Sequence, residues 1–569
     1  MDANNIKHFL IKYILILKYM NYNFSCDFGT SNTVISYLNN SSNIEYINDE
    51  ITGDILIPST IYFLNEKINA NLQYEDLEFN KHYIIGNSAK ENYNMFKNGE
   101  SYFFQFKRFL GMHVNSPNYD IDFIKKYNVK YDINDTLIYF YIPTNNEDKY
   151  IKISIIELTT LYLKALNNLI KSSLNINETI KIYISTPAYF NDLQKNQLKT
   201  AFKNSNFNVL KIYNEPTSAS IYYITKYYEN LDENSKFIIF DFGCGTLDIT
   251  TVKYYYEEKL IEIIDVYGNN CLGSVDIDHI IVNDIYLRYN IDVDNKKWAK
   301  RILKYAEEIK IKLSFTDNYK IVLENVPINN NGKIIEKEFL EISYNISYLN
   351  NLLSEITNKI ISPLKEINNK EENIKDIIFV GGGSLLPLLR NKAQVIFNIN
   401  NTFLNDSVLF KSIVANGSCI MNKILQNKED LCMIDITPMD IGLMSSNNNI
   451  INIIPKNSKI PTKKEYIFTT SYDGQKSIIF EICEIKNIAY SYYITGIPPL
   501  KKGSILIKIM FKIDNNGLLD ININGITNGE NLEMSKRDFN LKKDIKLIPK
   551  YKMKEILKKI YKTQNINKK

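Results

Sequence analysis

Three aspartates, three hydroxyl residues, one lysine and one glutamate are the side chains here with the types and spacing to do chemistry. Asp27 opens the run Asp27-Phe28-Gly29-Thr30-Ser31-Asn32. Asp241 opens Asp241-Phe242-Gly243-Cys244-Gly245-Thr246-Leu247-Asp248. Each follows a short apolar run, Tyr22 to Cys26 or Phe237 to Phe240, and reads as strand, acidic residue, glycine turn, hydroxyl, strand. Such a turn aims backbone N–H groups into a nest that suits phosphate oxygens, with glycine permitting positive φ and close backbone approach. Thr30, Ser31 and Thr246 add hydroxyl donors. Carboxylates beside phosphate make sense only with a cation, and Mg2+ held largely through water suits hard oxygen ligands. Lys107, in Phe106-Lys107-Arg108-Phe109-Leu110-Gly111, and Glu215, in Tyr213-Asn214-Glu215-Pro216-Thr217, complete the set. Transfer of a phosphoryl group to water needs mainly positioning and charge stabilisation, which these groups supply. Two such loops in one chain imply a duplicated domain that grips a phosphate tail from both sides.

The elements that must position these groups alternate between strand and helix. Ile153 to Leu174 carries apolar residues at helical spacing, and Lys181 to Ser185 reads as a strand ended by Pro187. From Phe237 a second α/β stretch begins, with an amphipathic helix from Lys296 to Leu313. It closes on the strand Asp376 to Val380, which runs into Gly381-Gly382-Gly383. Strand–glycine–helix junctions of this kind are where open α/β sheets bind ligands. After about residue 425 the character changes. Turn signals recur at short intervals, among them Asp473-Gly474, Lys502-Gly503 and Asn515-Asn516-Gly517. Ile-rich segments such as Ser477 to Glu484 and Ile505 to Ile513 lie between them. That pattern predicts a small all-β sandwich.

The chain has 569 residues, more than one core accommodates. Its 68 basic and 64 acidic residues give a net charge of +4, which offers no argument for nucleic acid or a membrane as partner. Six cysteines form no CxxC pair, favouring a reducing, cytoplasmic location. Four scattered histidines suggest neither a metal site nor a triad. Phe9 to Met20 is apolar but interrupted by Lys12 and Lys18, too short and charged to span a bilayer. Residues 1–20 read as a leader, with Met20 an alternative start. Forty-one tyrosines against one tryptophan reflect codon composition more than function.

Taken singly these features are ordinary: Asp-x-Gly-Thr is commonly just a turn, and a lone lysine a solvated one. Their joint order resembles the Hsp70 chaperone family. The two phosphate loops look like its phosphate motifs. Ile85-Gly86-Asn87-Ser88-Ala89-Lys90, Thr186-Pro187-Ala188-Tyr189-Phe190-Asn191-Asp192 and Leu272-Gly273-Ser274-Val275-Asp276 are similar to further signatures. Val380-Gly381-Gly382-Gly383-Ser384-Leu385 resembles the adenosine motif, and Asp430 to Pro438 the apolar interdomain linker. The resemblance implies an α/β actin-like ATPase domain of two duplicated lobes over residues 21–426. A linker (427–436), a β-sandwich that binds peptide (437–538) and a short Lys-rich helical tail (539–569) in place of a lid would follow. It also implies residue roles. Lys107 would orient the attacking water, Thr246 contact the γ-phosphate, and Asp27, Asp241, Asp248 and Glu215 act in catalysis. Asp27, Asp241 and Glu215 would hold Mg2+ through water. Gly29, Thr30, Ser31, Gly243, Cys244, Gly245, Gly273 and Ser274 would cradle ATP or ADP. Glu307, Lys310, Ser314, Gly381, Gly382 and Gly383 would take the adenosine. Leu443, Phe468, Ile478 and Phe480 would line a groove for extended polypeptide clients by strand-like capture. A J-domain co-chaperone and a nucleotide exchange factor are implied partners.

The chain departs from that pattern at identifiable places. Cys244 and Ser274 replace glycines; a positive φ at Cys244 would cost about 1–2 kcal/mol. Leu385 replaces an arginine that stacks on adenine, a contact worth roughly 0.5–2 kcal/mol. Lys411 stands in place of an aspartate. Lys195 and Lys211 stand in place of arginines tied to interdomain contact. The leading expectation is an ATP-dependent chaperone with slow hydrolysis coupled through the linker. The alternative is a nucleotide-binding holdase or assembly factor with little turnover, motivated by Cys244 and Leu385. A sugar or acetate kinase would share the loops but leave the linker and sandwich unexplained.

Overall fold

The computed structural model describes residues 22–538, apart from residues 40, 96–100, 113–128, 135–136, 228–233, 293–295, 331, 372, 400–408, 428–430, 446–448, 485–486, 528–529 and 533–534. The predicted leader and Lys-rich tail lie outside the described residues.

The first lobe is built on β1 (Asn23–Phe28), β2 (Asn32–Leu38) and β3 (Ile44–Ile47), three antiparallel strands in sequence. The chain then passes through α1 (Ile155–Leu174) to β4 (Ile180–Thr186) and β5 (Phe207–Asn214), which add in parallel beyond β1 in the order β5-β4-β1-β2-β3. Helix α1 starts two residues later than its periodicity suggested. Ile153 belongs to a strand, and Ser154 caps the helix by accepting the Glu157 N–H at 3.3 Å while Glu157 accepts the Ser154 N–H at 2.7 Å. Its apolar stripe of Leu158, Leu161, Leu166 and Leu169 is buried in the lobe's core.

Helix α2 (Glu215–Tyr227) carries the chain to the second lobe. There β6 (Ser235–Phe242), β7 (Leu247–Tyr255) and β8 (Leu260–Asn269) repeat the antiparallel trio. After α3 (Ser274–Tyr289) and α4 (Lys296–Lys312), β9 (Ile374–Val380) pairs in parallel with β6, as β4 does with β1. The duplication expected from the two loops is thus written into the strand order. Strand β6 is buried along nearly its whole length because both faces of the sheet are covered, which is why it reads as a continuous apolar run. Helix α5 (Leu409–Asn427) crosses back and packs on α2. Gly417 lets them meet: a Cβ there would strike the Ser218 carbonyl, and the Ser218 and Ser418 hydroxyls bond at 2.7 Å.

The segment read as linker contains β10 (Cys432–Ile436). It extends the second lobe's sheet by pairing in parallel with Leu260, Ile261 and Glu262 of β8. Beyond it the strands β11 (Ile441–Met444), β12 (Ile450–Ile454), β13 (Thr462–Thr469), β14 (Ser477–Glu484), β15 (Asn487–Thr495), β16 (Leu506–Ile513) and β17 (Leu519–Thr527) follow, with two short ones at Glu530–Leu532 and Ser535–Asp538. They form a five-stranded and a four-stranded antiparallel sheet. Alternation in β16 buries Ile507, Ile509, Phe511 and Ile513. The sandwich rests on both lobes. The Leu519 N–H donates to Asp192 Oδ1 at 2.7 Å and the Ile212 N–H to Asn516 Oδ1 at 3.1 Å. Lys459 pairs with Glu262 at 2.6 Å and Lys456 with Asp265 at 3.1 Å.

Candidate active site

The β1–β2 and β6–β7 turns face one another across a cleft of about 400 Å3. The turns are alike: Gly29 N–H donates to the Asn32 carbonyl at 3.0 Å, and Gly243 N–H to the Thr246 carbonyl at 3.1 Å. None of Gly29, Gly243 and Gly245 has a positive φ, and neither does Cys244. The expected conformational need for glycine in these loops, and the strain conditional on it at Cys244, are therefore corrected. What the loops require is closeness. A Cβ on Gly29 would strike the Asn32 carbonyl oxygen, and one on Gly245 would stand 2.7 Å from Thr30 Oγ1 and 3.1 Å from Arg108 Cγ. The two loops touch at Gly245 and Thr30. The Cys244 thiol is half-buried, reached by Ser31 and by Gln105 Nε2 at 3.7 Å, and burial pushes it up to about 11, so it stays protonated.

Lys107 sits on a single helical turn, Phe106–Phe109, entered through Gln105 in the left-handed region at φ 53°. Its ammonium is 4% exposed, 3.1 Å from Glu215 Oε1, and faces the Phe28 and Phe190 rings at 5.8 and 5.3 Å. Glu215 opens α2 directly after β5. Asp27, near the end of β1, accepts a hydrogen bond from Ser185 of the adjacent β4 at 3.4 Å. Asp248 is 1% exposed: its Oδ1 accepts the Tyr189 N–H at 3.0 Å, while its buried Oδ2 has no hydrogen-bond partner. Burial, with Glu215 adding to it and Lys107 opposing it, lifts Asp27 to about 7. Burial and Glu215 lift Asp248 to about 7 and hold Asp241 well above the usual carboxylate range. Four carboxylates thus share one lysine. An orphaned carboxylate oxygen and three acids held above their usual range fit a site completed by a divalent cation. Among the described residues no three His, Cys, Asp or Glu side chains converge tightly enough to chelate one directly.

The predicted residues of the far end also line the cleft. Lys310 is buried, and its ammonium is spent on Asp278 Oδ2 at 2.8 Å and the Ser274 carbonyl at 3.1 Å. Burial works against that charge, but Asp278 and Glu307 outweigh it and its pKa rises. Ser314 donates to the Lys310 carbonyl at 3.0 Å, and Glu307 stands exposed at the rim. Gly381, at φ 79°, Gly382 and Gly383 form the opposite wall. Two predicted residues do not line the cleft. Gly273 lies behind the second loop, where a Cβ would strike the Cys244 carbonyl, and Asp248 is buried away from the lining. The N-terminus of α3 steadies that loop, with Ser274 N–H donating to Gly243 O at 2.9 Å.

Sequence reasoning missed Asp278 as the partner of Lys310, and the apolar lining from Ile311, Phe315, Phe410 and Val414. Ile311 on α4 and Phe315 in the turn just after it follow Glu307 at spacings of four, a signal that was there to find. In the sandwich, the four predicted peptide residues meet in one core cluster: Leu443 and Phe480 buried, Phe468 and Ile478 half-buried, with the two phenylalanine rings 5.6 Å apart. No helix among the described residues is long and apolar enough to cross a membrane.

The family model described as Hsp70 protein matches residues 24–565. The chain belongs to the Hsp70 family. It is 28% identical over 529 residues to the chaperone protein dnaK of Cyanidium caldarium, covering 89% of this chain and 78% of that one. It is 27% identical over 523 residues to the mitochondrial iron-sulfur cluster biogenesis chaperone of Saccharomyces cerevisiae, covering 87% and 74%. The DnaK chaperone of Ureaplasma urealyticum is 29% identical over 357 residues, a match spanning 60% of this chain and 58% of that one. As an Hsp70 the chain is an ATP-dependent chaperone, with a two-lobed actin-like ATPase domain followed by a β-sandwich. The Hsp70 family binds nucleotide, and Lys107, Glu215, Asp241 and Thr246 all line the cleft between the lobes.

Proposed function

We propose that nucleotide turnover in the cleft is coupled, through β10, to the capture and release of extended apolar polypeptide by the sandwich. One observation carries this reading. Asp435 of β10 accepts hydrogen bonds from Asn214 Nδ2 at 2.8 Å and Thr217 Oγ1 at 3.0 Å, the residues on either side of Glu215 and Pro216. Glu215 in turn holds Lys107. A continuous path of hydrogen bonds and one short helix turn therefore joins the cleft to the linker. A linker that pairs in one nucleotide state and leaves in another is the two-state element that allostery requires.

In this reading the loop N–H groups and Thr30, Ser31 and Thr246 hold the phosphate tail. Lys107 is fixed by Glu215 and kept from solvent by Phe28 and Phe190, so its charge acts at low local dielectric on the group being transferred. Asp248 is buried behind the cleft and oriented by the Tyr189 N–H, so its charge acts on the site from behind the second loop. Asp27, Asp241 and Glu215 would hold Mg2+ through water, and the ion would supply charge neutralisation on the phosphates. A J-domain protein and an exchange factor are the proposed regulators. Six free cysteines support a reducing location such as the cytoplasm. The holdase alternative loses one of its motives, because Cys244 sits in unstrained backbone.

ATP hydrolysis measured with and without an extended apolar peptide, in the wild type and in Thr246→Ala, tests the reading. Stimulation by peptide in the wild type, with turnover lost in the variant, is expected. Turnover no higher than that of Lys107→Ala would leave the holdase alternative standing.

A further inference from the structure

Arg108 follows Lys107 on the single helical turn Phe106–Phe109, and that turn is held from two sides. Phe106 and Phe109 root it in the core of the first lobe. Gln105 and Arg108 reach across to the second lobe. The Gln105 amide donates to the Cys244 thiol at 3.7 Å. Arg108 Nη2 donates to the Cys271 carbonyl at 3.1 Å, and its Nη1 stands 3.8 Å from Asp276 Oδ1. The Arg108 side chain is 4% exposed, and burial limits the screening of its charge. The receiving segment is the one that shapes the second phosphate loop. Asp276 Oδ2 accepts the Gly273 N–H at 2.8 Å and so caps α3. From the first turn of α3, Ser274 N–H donates to the Gly243 carbonyl at 2.9 Å and Val275 N–H to the Cys244 carbonyl at 3.1 Å. One short stretch of the second lobe therefore fixes the phosphate loop and grips the guanidinium beside Lys107.

We propose that Arg108 is a positioning residue for hydrolysis: by gripping Cys271 and Asp276 of the opposite lobe, it sets the turn that presents the Lys107 ammonium to the phosphoryl group being transferred. The inference rests on the nucleotide reading of the cleft and deepens it. Arg108 itself does not line the cleft, so it acts through its neighbour. The other partner of Lys107, Glu215, follows directly on β5 of the first lobe, and their 3.1 Å pair does not refer Lys107 to the second phosphate loop. The Arg108 contacts do. The contribution of a fixed charge to a transition state falls steeply when the charge is misplaced, by about a hundredfold for about 1 Å. A turn rooted in one lobe and clasped by the other keeps Lys107 in register with both phosphate loops at once.

The test is ATP hydrolysis by the full chain, with ATP dissociation constants measured alongside, for Arg108→Gln, Arg108→Lys, Asp276→Asn and the double variant Arg108→Gln/Asp276→Asn. Asparagine keeps an oxygen for the Gly273 N–H, so α3 stays capped. Arg108→Gln is expected to lower kcat by about ten- to a hundredfold while ATP affinity changes by less than about threefold. Arg108→Lys, which keeps a cation before Asp276, should recover part of that loss. Asp276→Asn should lower kcat by about three- to tenfold, and the double variant should be no slower than Arg108→Gln alone, because the two side chains form one contact. Losses of affinity as large as the losses of kcat would mark a merely structural role and overturn the proposal. So would a kcat within about threefold of the wild type in Arg108→Gln, or losses that multiply in the double variant. Should Arg108→Gln fail to fold, the split between kcat and affinity in Asp276→Asn decides by the same criterion. A wild type with no turnover above Lys107→Ala would instead overturn the nucleotide reading itself.

Discussion

The Asp435 carboxylate accepts a hydrogen bond from the Thr217 hydroxyl at 3.0 Å, two residues past the glutamate that holds Lys107. A polar group of the linker is thereby tied to the first turn of the helix that begins in the cleft. Removing the carboxylate cuts that tie without touching the phosphate loops. Asp435→Ala is expected to abolish stimulation of hydrolysis by peptide while basal turnover stays within about threefold, since an uncoupled site should respond like the unstimulated one. Steady-state ATPase assays with and without peptide check this. Retained stimulation would count against the linker path.

Lys107 is the only cation bonded to the carboxylates around the phosphate loops in the described cleft. Lys107→Ala should lower the hydrolysis rate by about 10²–10³-fold, the usual scale for losing a preorganised charge at a transition state. Nucleotide affinity should fall much less. Single-turnover kinetics separate the two quantities. An unchanged hydrolysis rate would remove Lys107 from the chemistry.

The acids of the cleft make the nucleotide-free protein sensitive to pH. Asp27 and Asp248 rise from 3.8 to about 7 on folding, through burial and the neighbouring Glu215. The folded state therefore binds protons more tightly than the unfolded chain between those values, and stability falls as pH rises through about 7. A bound divalent cation with its nucleotide favours the ionised acids and should flatten the dependence. Melting temperatures from pH 5 to 8, with and without Mg2+ and ATP, read this directly. A stability that climbs over this range in the nucleotide-free protein would contradict the electrostatics described here.

A second titration belongs to the sandwich contact. Burial, and then Asp192, push Glu484 from 4.5 up to about 8, while its Oε1 accepts the Asp192 N–H at 3.2 Å. Docking against the first lobe should thus weaken as pH rises through about 8, the range in which Glu484 must ionise. Burial pulls Lys195 on the same surface below its ordinary range, with Asp435, Asp192, Glu484 and Asp514 opposing, and its nearby charge offsets part of the effect without removing it. Solution scattering at pH 6 and pH 8.5 should record expansion of the wild type and a constant size for Glu484→Gln.

Gly245 and Cys244, neighbours in one loop, should respond oppositely to substitution. Cys244→Gly relieves no strain, so nucleotide affinity should change by less than about threefold. Gly245→Ala forces a Cβ against Thr30 and should push the two loops apart, raising the dissociation constant at least tenfold, the equivalent of about 1.4 kcal/mol. Isothermal titration with ADP compares them.

Legibility followed range. The phosphate loops, Lys107 and Glu215 were readable because each motif is local and its residue types are chemically committed. The strand trios were readable because buried strands carry continuous apolar runs. The contacts of Asp192 with Leu519 and of Asp435 with Thr217 were not readable. They join a carboxylate to a backbone N–H or a hydroxyl hundreds of positions away, and nothing local to either partner marks the pairing. The backbone at Cys244 was misjudged for a related reason. Composition marks where glycine is tolerated, but whether φ or mere closeness demands it depends on what packs against the position. Lys310 lines the cleft, yet its partner Asp278 lies on a neighbouring helix that the sequence gives no reason to bring so near.

The pairing of β10 with Leu260, Ile261 and Glu262 has one further consequence. While the linker is seated, it caps the open side of the second lobe's sheet. Were it to leave, two ribbons would lose their partners at once: the Leu260–Glu262 border of that sheet, and residues Cys432–Ile434 of the linker. Unpaired strand borders recruit other chains. An undocked molecule would then be the form open to self-association and to proteases.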